Sequence, residues 1–179
     1  MITPLELISP SYRSALMALH GRQHGWGTGG FKWATTVEDL IRKHRASSVL
    51  DYGCGTGTLA RQLRAAGIRG LRVDEYDPAI PGKDHLPSFA DLVVCTDVLE
   101  HIEPDRLDVV IEHLKVLARK AIFVVVSTRA ANILLPGGEN AHLTIQPAEW
   151  WEDKLKSAGF SARPLHDKRE KELAVVLTP

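Results

Sequence analysis

Apolar and polar positions along this chain follow two rhythms. Between Ser11 and His20, the residues Tyr12, Leu16 and Leu19 recur at helical spacing, and Val37, Leu40 and Ile41 do the same between Thr36 and His44. Both stretches are expected to be amphipathic helices. The glycine-rich seam Gly25-Trp-Gly-Thr-Gly-Gly30 lies between them. Beyond Ser48 the pattern changes to short apolar runs separated by helical stretches, the signature of a parallel sheet covered by helices. The runs are Ser48 to Tyr52, Leu71 to Tyr76, Ala90 to Cys95 and Ala121 to Ser127. A helix with Leu59, Leu63 and Ala66 on one face, stopped by Gly67, follows the first run. Pro104 is placed to open a second helix reaching Arg119, in which Leu107, Val110, Ile111, Leu114 and Leu117 recur every three or four residues. After the fourth run comes a loop, Arg129 to Pro147, longer than the about 2–6 residues usual for such a connection and therefore expected to lie over a ligand crevice. A helix from Pro147 to Ala158 and two closing strands, around Ala162 to Leu165 and Leu173 to Leu177, complete the pattern, with Asp167 to Glu172 as a polar hairpin tip. The expected fold class is α/β: a mostly parallel sheet closing with an antiparallel hairpin, and an N-terminal helical cap. One domain is expected, with the cap over residues 1–47 and the core over 48–179.

Composition narrows the classes. A domain of 179 residues buries roughly 70% of its unfolded surface and needs no disulfide or metal to fold. With 44% hydrophobic and 25% charged residues it is ordinary globular material. Lys plus Arg and Asp plus Glu both number 22, so the net charge is zero. That balance argues against a protein that grips polyanions through a general positive field. The longest uninterrupted apolar run, Ala121 to Val126, falls far short of the ~20 residues of a membrane span. Met1 to Pro10 carries Pro4, Glu6 and Pro10 and no basic leader, so a cytoplasmic location is expected. Cys54 and Cys95 are too few for a disulfide framework, and no Cys/His set shows metal-ligand spacing. His20 and His24 are four apart, but Gly21 and Gly25 weaken a helix there, and no metal is expected.

The sharpest local signal is Leu50-Asp-Tyr-Gly-Cys-Gly-Thr-Gly57, between an expected strand and an expected helix. Glycines there let the backbone turn tightly and approach a ligand, and the following helix offers free N–H groups to an anion. The dinucleotide fingerprint needs a third glycine where Thr58 stands. Val49 to Gly57 instead resembles the first motif of class I S-adenosylmethionine-dependent methyltransferases. Ala90-Asp-Leu-Val-Val-Cys-Thr-Asp-Val-Leu-Glu-His-Ile102 is similar to that family's fourth strand and its Leu-Glu-His ending, and Glu149 to Phe160 resembles its approach to the final strands. The likeness covers roughly three quarters of the chain, from Ser48 onward.

The resemblance implies a Rossmann-like fold with S-adenosylmethionine as cofactor. Asp51 with Gly53, Cys54 and Gly55 would surround its methionine end. An acid ending the second strand would take both ribose hydroxyls, because a carboxylate offers two acceptor oxygens to a vicinal diol. Asp77, just before Pro78, is the expected residue, with Glu75 as competitor if the strand ends earlier. Thr96, Asp97 and Val98 would line the cleft beside the methyl group. Family members place a helix, a third strand and an acidic adenine contact between the second and fourth strands, and the link Pro78 to Phe89 is too short for all of these. The third-strand region is therefore expected to be reduced, leaving Asp84 either as the adenine contact or as a solvated loop residue.

Methyl transfer from a sulfonium is an in-line displacement, so the protein must position the acceptor and take a proton where one is lost. His101 and His142 are the candidate bases. Each also has an ordinary structural explanation, as a scaffold and a loop residue respectively. Lys32 can pair with the cofactor carboxylate or an anionic acceptor, or be solvated. His20, His24 and Trp26 are a candidate acceptor wall, and Trp150 and Trp151 candidate aromatic walls near His142. The residues Thr96-Asp97-Val98-Leu99 differ from the Asn/Asp-Pro-Pro-aromatic motif of exocyclic amino-group nucleic-acid methyltransferases, and Cys95 sits inside an apolar strand with no proline before it. A small or medium-sized acceptor, methylated on O or N, is the leading expectation, with nucleic acid disfavoured. A catalytically silent cofactor-binding subunit and a nicotinamide-dependent oxidoreductase are the alternatives.

Overall fold

A computed structural model describes residues 7–22, 26–165 and 171–178 of the chain. Helix α1 (Pro10–Arg22) is followed by a 3-10 turn, Gly29–Trp33, and helix α2 (Ala34–His44). The core then runs β1 (Ser48–Tyr52), α3 (Thr58–Ala65), β2 (Arg72–Tyr76), β3 (Ala90–Thr96), α4 (Leu107–Leu117), β4 (Ala118–Ser127), α5 (Ala148–Ser157), β5 (Ser161–Pro164) and β6 (Glu172–Thr178). The six strands form one sheet in the order β2-β1-β3-β4-β6-β5. The first four are parallel, and β6 runs antiparallel to both β4 and β5.

Helices cover both faces of the sheet, which is why its central strands read as continuous apolar runs instead of alternating ones. Every residue of β1 and β3 is buried. Neighbouring residues serve opposite layers. Leu50, Val93 and Ile122 pack with Ile111 and Leu114 of α4 and Trp151 of α5, whereas Val49, Leu92 and Phe123 pack with Leu40 of α2 and Leu59 and Leu63 of α3. Helix α1 joins neither layer. Its Tyr12 and Leu19 cluster with Leu135 and Ala141 of the long loop after β4, so cap and loop form a third apolar unit at one end of the sheet.

Several expectations shift. The residues expected to begin a helix at Pro104 form a turn closed by Arg106 N–H to Glu103 O, and α4 begins at Leu107. Strand β4 starts at Ala118 instead of Ala121, because Ala118 pairs with Ala90 across an irregularity in the β3–β4 ladder. Trp151 is fully buried under the sheet with Trp150 packed on it at 5.0 Å, so the two are core material and line neither cavity described below. The link from Pro78 to Phe89 carries neither helix nor strand, as expected of a reduced third-strand region. Residues 1–6, His24, His166 and the hairpin tip Asp167 to Glu170 lie outside the described residues, and Glu172, placed in the tip by its polarity, opens β6. No helix among the described residues is long and apolar enough to cross a membrane.

Candidate active site

Strand β1 ends in a turn whose Gly53 (φ 71) and Gly55 (φ 52) adopt the left-handed region open chiefly to glycine. A Cβ at Gly53 would collide with the Val98 side chain, and one at Gly55 with the Gly27 backbone. The turn is fixed by its own backbone: Gly53 and Cys54 N–H both donate to Tyr76 O, at 2.8 and 3.0 Å. Gly55 N–H donates to Asp77 Oδ2 at 3.0 Å. The cap docks directly on this turn. Thr56 donates to Gly27 O from both N–H (2.9 Å) and hydroxyl (3.1 Å). The Thr58 hydroxyl donates to Thr28 O at 2.9 Å and accepts from Phe31 N–H at 3.3 Å. Thr58, the departure from the dinucleotide fingerprint, is thus where the cap is fastened.

Over the turn lies a cavity of about 250 Å³, lined among others by Asp51, Gly53, Cys54, Gly55, Asp77, Pro78, Thr96, Asp97, Val98 and His101. Asp51 is 3% exposed, and its Oδ2 has no hydrogen-bond partner among the described residues. Burial, with the charge of Glu75 adding to it, pushes its carboxyl up to about 7. Asp77 accepts Gly55 N–H on one oxygen and Ala79 N–H (2.9 Å) on the other, so backbone donors aim it. Glu75 lies outside the lining, held by Lys83 at 2.7 Å and Arg64 at 2.6 Å. Burial works to raise its carboxyl, but those two cations outweigh burial and hold it below its ordinary value. Asp84 is not brought into the cavity either. It pairs with Arg13 of the cap at 2.6 Å, and Arg13 also donates to Pro78 O.

A second, more open cavity of about 740 Å³ shares Trp26, Asp97, His101 and Ile133 with the first and adds Lys32, Arg129 and His142. Asp97 adopts φ 56, unusual for a residue with a Cβ, and its carboxylate stands 3.3 Å from Lys32 Nζ. Of the expected acceptor wall, His20 and Trp26 line the inner cavity, and the Trp26 and His101 rings meet edge-on at 5.1 Å. His101 Nδ1 lies 2.7 Å from Ala141 O, and His142 Nδ1 lies 2.5 Å from Arg129 O. A carbonyl only accepts, so both Nδ1 atoms carry the proton and both Nε2 atoms keep a free lone pair. The rings are 4.7 Å apart. Burial pushes His101 down to about 4. Both holding carbonyls belong to the long loop, which Asn140 braces by accepting from Ala131 and His142 N–H and donating to Ala131 O.

Glu100 has no separate role in the sequence reading. It is 0% exposed, with Oε1 accepting Ser127 N–H at 2.9 Å and Oε2 without a partner among the described residues. Burial pushes its carboxyl up to about 8, against the Ser127 hydrogen bond and with the Asp97 charge adding to burial. The available signal was an acid three residues after Asp97, in the Leu-Glu-His ending that follows β3.

A family model described as a methyltransferase domain matches residues 30–166. The chain belongs to this methyltransferase family. No curated protein sequence matches it. Among solved structures similar to this methyltransferase is DhpI in complex with SAH, at 20% identity and a TM-score of 0.64, covering 96% of this chain and 98% of the other. Another is 1,6-didemethyltoxoflavin-N1-methyltransferase of Burkholderia thailandensis, with 1,6-didemethyltoxoflavin and S-adenosylhomocysteine bound (17% identity, TM-score 0.63, 99% and 90% of the two chains). A third is the small RNA methyltransferase HEN1 (15%, TM-score 0.59), of which the match covers 25% and 80% of this chain. At these identities the likeness speaks for the fold, and the acceptors named differ from one structure to the next.

Proposed function

We propose that this methyltransferase uses S-adenosylmethionine to methylate an oxygen or nitrogen of a small or medium-sized acceptor. The observation that carries the reading is Asp51. A buried carboxylate with one oxygen unsatisfied is costly by itself and becomes favourable when a cation reaches it. At the foot of a glycine turn, the α-ammonium of the cofactor's methionine end is that cation. The bound cofactor supplies an electrophilic methyl group on a positively charged sulfur. The chain's residues do the rest. Asp77, aimed by Gly55 and Ala79 N–H, keeps further lone pairs for the ribose diol. Lys32, beside Asp97, offers charge to the cofactor carboxylate or to an anionic acceptor. Where the two cavities meet, the free Nε2 atoms of His101 and His142 accept the proton that an O–H or N–H acceptor loses. A zero net charge favours a compact acceptor over a polynucleotide.

S-adenosylhomocysteine at a hundred times its dissociation constant stabilises a protein by about 2.7 kcal/mol, roughly 5–10 °C in Tm for this size. We expect that shift, and no shift with NAD. The reverse pattern would overturn the assignment. Labelled S-adenosylmethionine with a metabolite extract then separates enzyme from silent binder: label is expected in small-molecule products, label in RNA would replace the acceptor class, and no transfer would leave only the binding half.

A further inference from the structure

We propose that Glu100, His101 and His142 form a binding site for a divalent first-row transition cation. One ligand atom from each of the three lies within 4.8 Å of the other two. An ion with bonds of about 2.0–2.2 Å in tetrahedral geometry holds its ligand atoms about 3.3–3.6 Å apart, so the side chains need to close by at most about 1.5 Å.

Three further features single this cluster out. Both imidazoles donate Nδ1–H to a backbone carbonyl, Ala141 O and Arg129 O, leaving Nε2 as the bare donor atom. Metal-ligating histidines are commonly oriented in this way. Glu100, fully buried, is held on one oxygen by Ser127 N–H and keeps the other unpartnered, which hydrogen bonding within the cluster does not explain. Asp97, which lines the outer cavity with His101 and His142, adds a further acidic group beside Glu100.

Two imidazole nitrogens and one carboxylate oxygen suit Zn²⁺, Mn²⁺, Fe²⁺ or Co²⁺. Three protein ligands leave coordination positions open, the arrangement of a working site more than a structural one. His101 and His142 line the outer cavity, so the open side faces incoming acceptor.

The use of the ion rests on the methyl-transfer reading above, whereas its binding does not. It selects an acceptor with a hydroxyl group. With both Nε2 atoms engaged as ligands, the hydroxyl proton leaves to water in the outer cavity, the acceptor oxygen forms the new bond to the methyl carbon, and the C–S bond breaks with its electron pair going to sulfur. With the ion bound the histidines serve as ligands, and the proton-accepting role of their Nε2 atoms belongs to the ion-free site.

The test is calorimetry on the full chain with ZnCl₂ alone and MnCl₂ alone, alongside the S-adenosylhomocysteine melting shift. The expected result is one ion per chain, weakened at least tenfold in His142→Ala and in Glu100→Gln. The latter keeps an oxygen for Ser127 N–H and loses the charge. Both variants should retain the S-adenosylhomocysteine shift, which shows that they fold. No binding of either ion to the wild type, or binding that survives both variants and so belongs to histidines elsewhere, would overturn the site. Loss of the melting shift with ion binding intact would defeat the cofactor reading and leave the metal site standing.

Discussion

The inner and outer halves of the site are built on different principles. The inner cradle is nearly contiguous in sequence and fastened by backbone: Gly53, Cys54 and Gly55 donate their N–H groups to Tyr76 O and Asp77, at the tip of the adjacent parallel strand. The outer half is assembled from His101 after β3 and His142 in the long loop, each steered by a loop carbonyl. The first arrangement follows wherever β1 and β2 pair. The second exists only when the loop folds back, and it hangs on Asn140 and on apolar contacts with the cap. A damaged inner half should therefore lose cofactor, and a damaged outer half should lose turnover.

The largest expected effect is at Asp51. Asp51→Asn should weaken S-adenosylhomocysteine about 10- to 100-fold, the worth of a charged hydrogen bond of about 1.5–3 kcal/mol, by calorimetry. Its effect on the ligand-free protein has the opposite sign. Burial first, and Glu75 second, raise the folded pKa from 3.8 to about 7. The folded state then binds more protons than the unfolded state between those values, and stability falls as pH rises through that window. Asp51→Asn should flatten that dependence in urea melts and leave the apo protein no less stable at pH 8. Cofactor affinity in the wild type should rise with pH through about 7, as the carboxylate ionises. An affinity indifferent to both the variant and pH would remove Asp51 from the cradle.

Next in size is Asn140→Ala, which removes three hydrogen bonds that shape the loop. We expect a loss of about 1–3 kcal/mol in stability, and a fall of about tenfold or more in kcat with S-adenosylhomocysteine affinity unchanged. Equal losses in both would mean that the two halves are one cooperative unit. The smallest effect belongs to Asp84. Its pair with Arg13 is partly exposed, so Asp84→Ala should leave stability nearly unchanged and change cofactor affinity less than about threefold. A larger loss of affinity would return Asp84 to the adenine contact that the sequence left open.

Legibility along the chain follows the same division. The glycine turn, Asp51, Asp77 and the Thr96–Val98 segment could be read because their placement depends on a strand ending and a helix beginning, both written in local apolar spacing. Glu100 was visible as part of a Leu-Glu-His ending, yet nothing local says that one of its oxygens finds Ser127 N–H and the other finds nothing. Thr58 read as a departure from one fingerprint, and its hydroxyl turned out to hold Thr28 and Phe31 of the cap. Trp150 and Trp151 misled for the converse reason, since helical spacing does not say whether an aromatic face meets a cavity or the sheet.

By itself, the sequence determined the order of strands and helices, the parallel core with its antiparallel close, the shortened link after β2 and the glycine turn after β1. Each rests on periodicity or on φ values that few residues tolerate, and both act over a handful of neighbours. Tertiary structure decided the rest: that the cap is fastened to the turn, that His101 and His142 stand face to edge, and that Glu100 lies buried beside them. Those contacts join segments far apart in the chain, Thr56 and Thr58 with Gly27 and Thr28, Glu100 with Ser127, and His101 with the loop after β4, which no local pattern encodes.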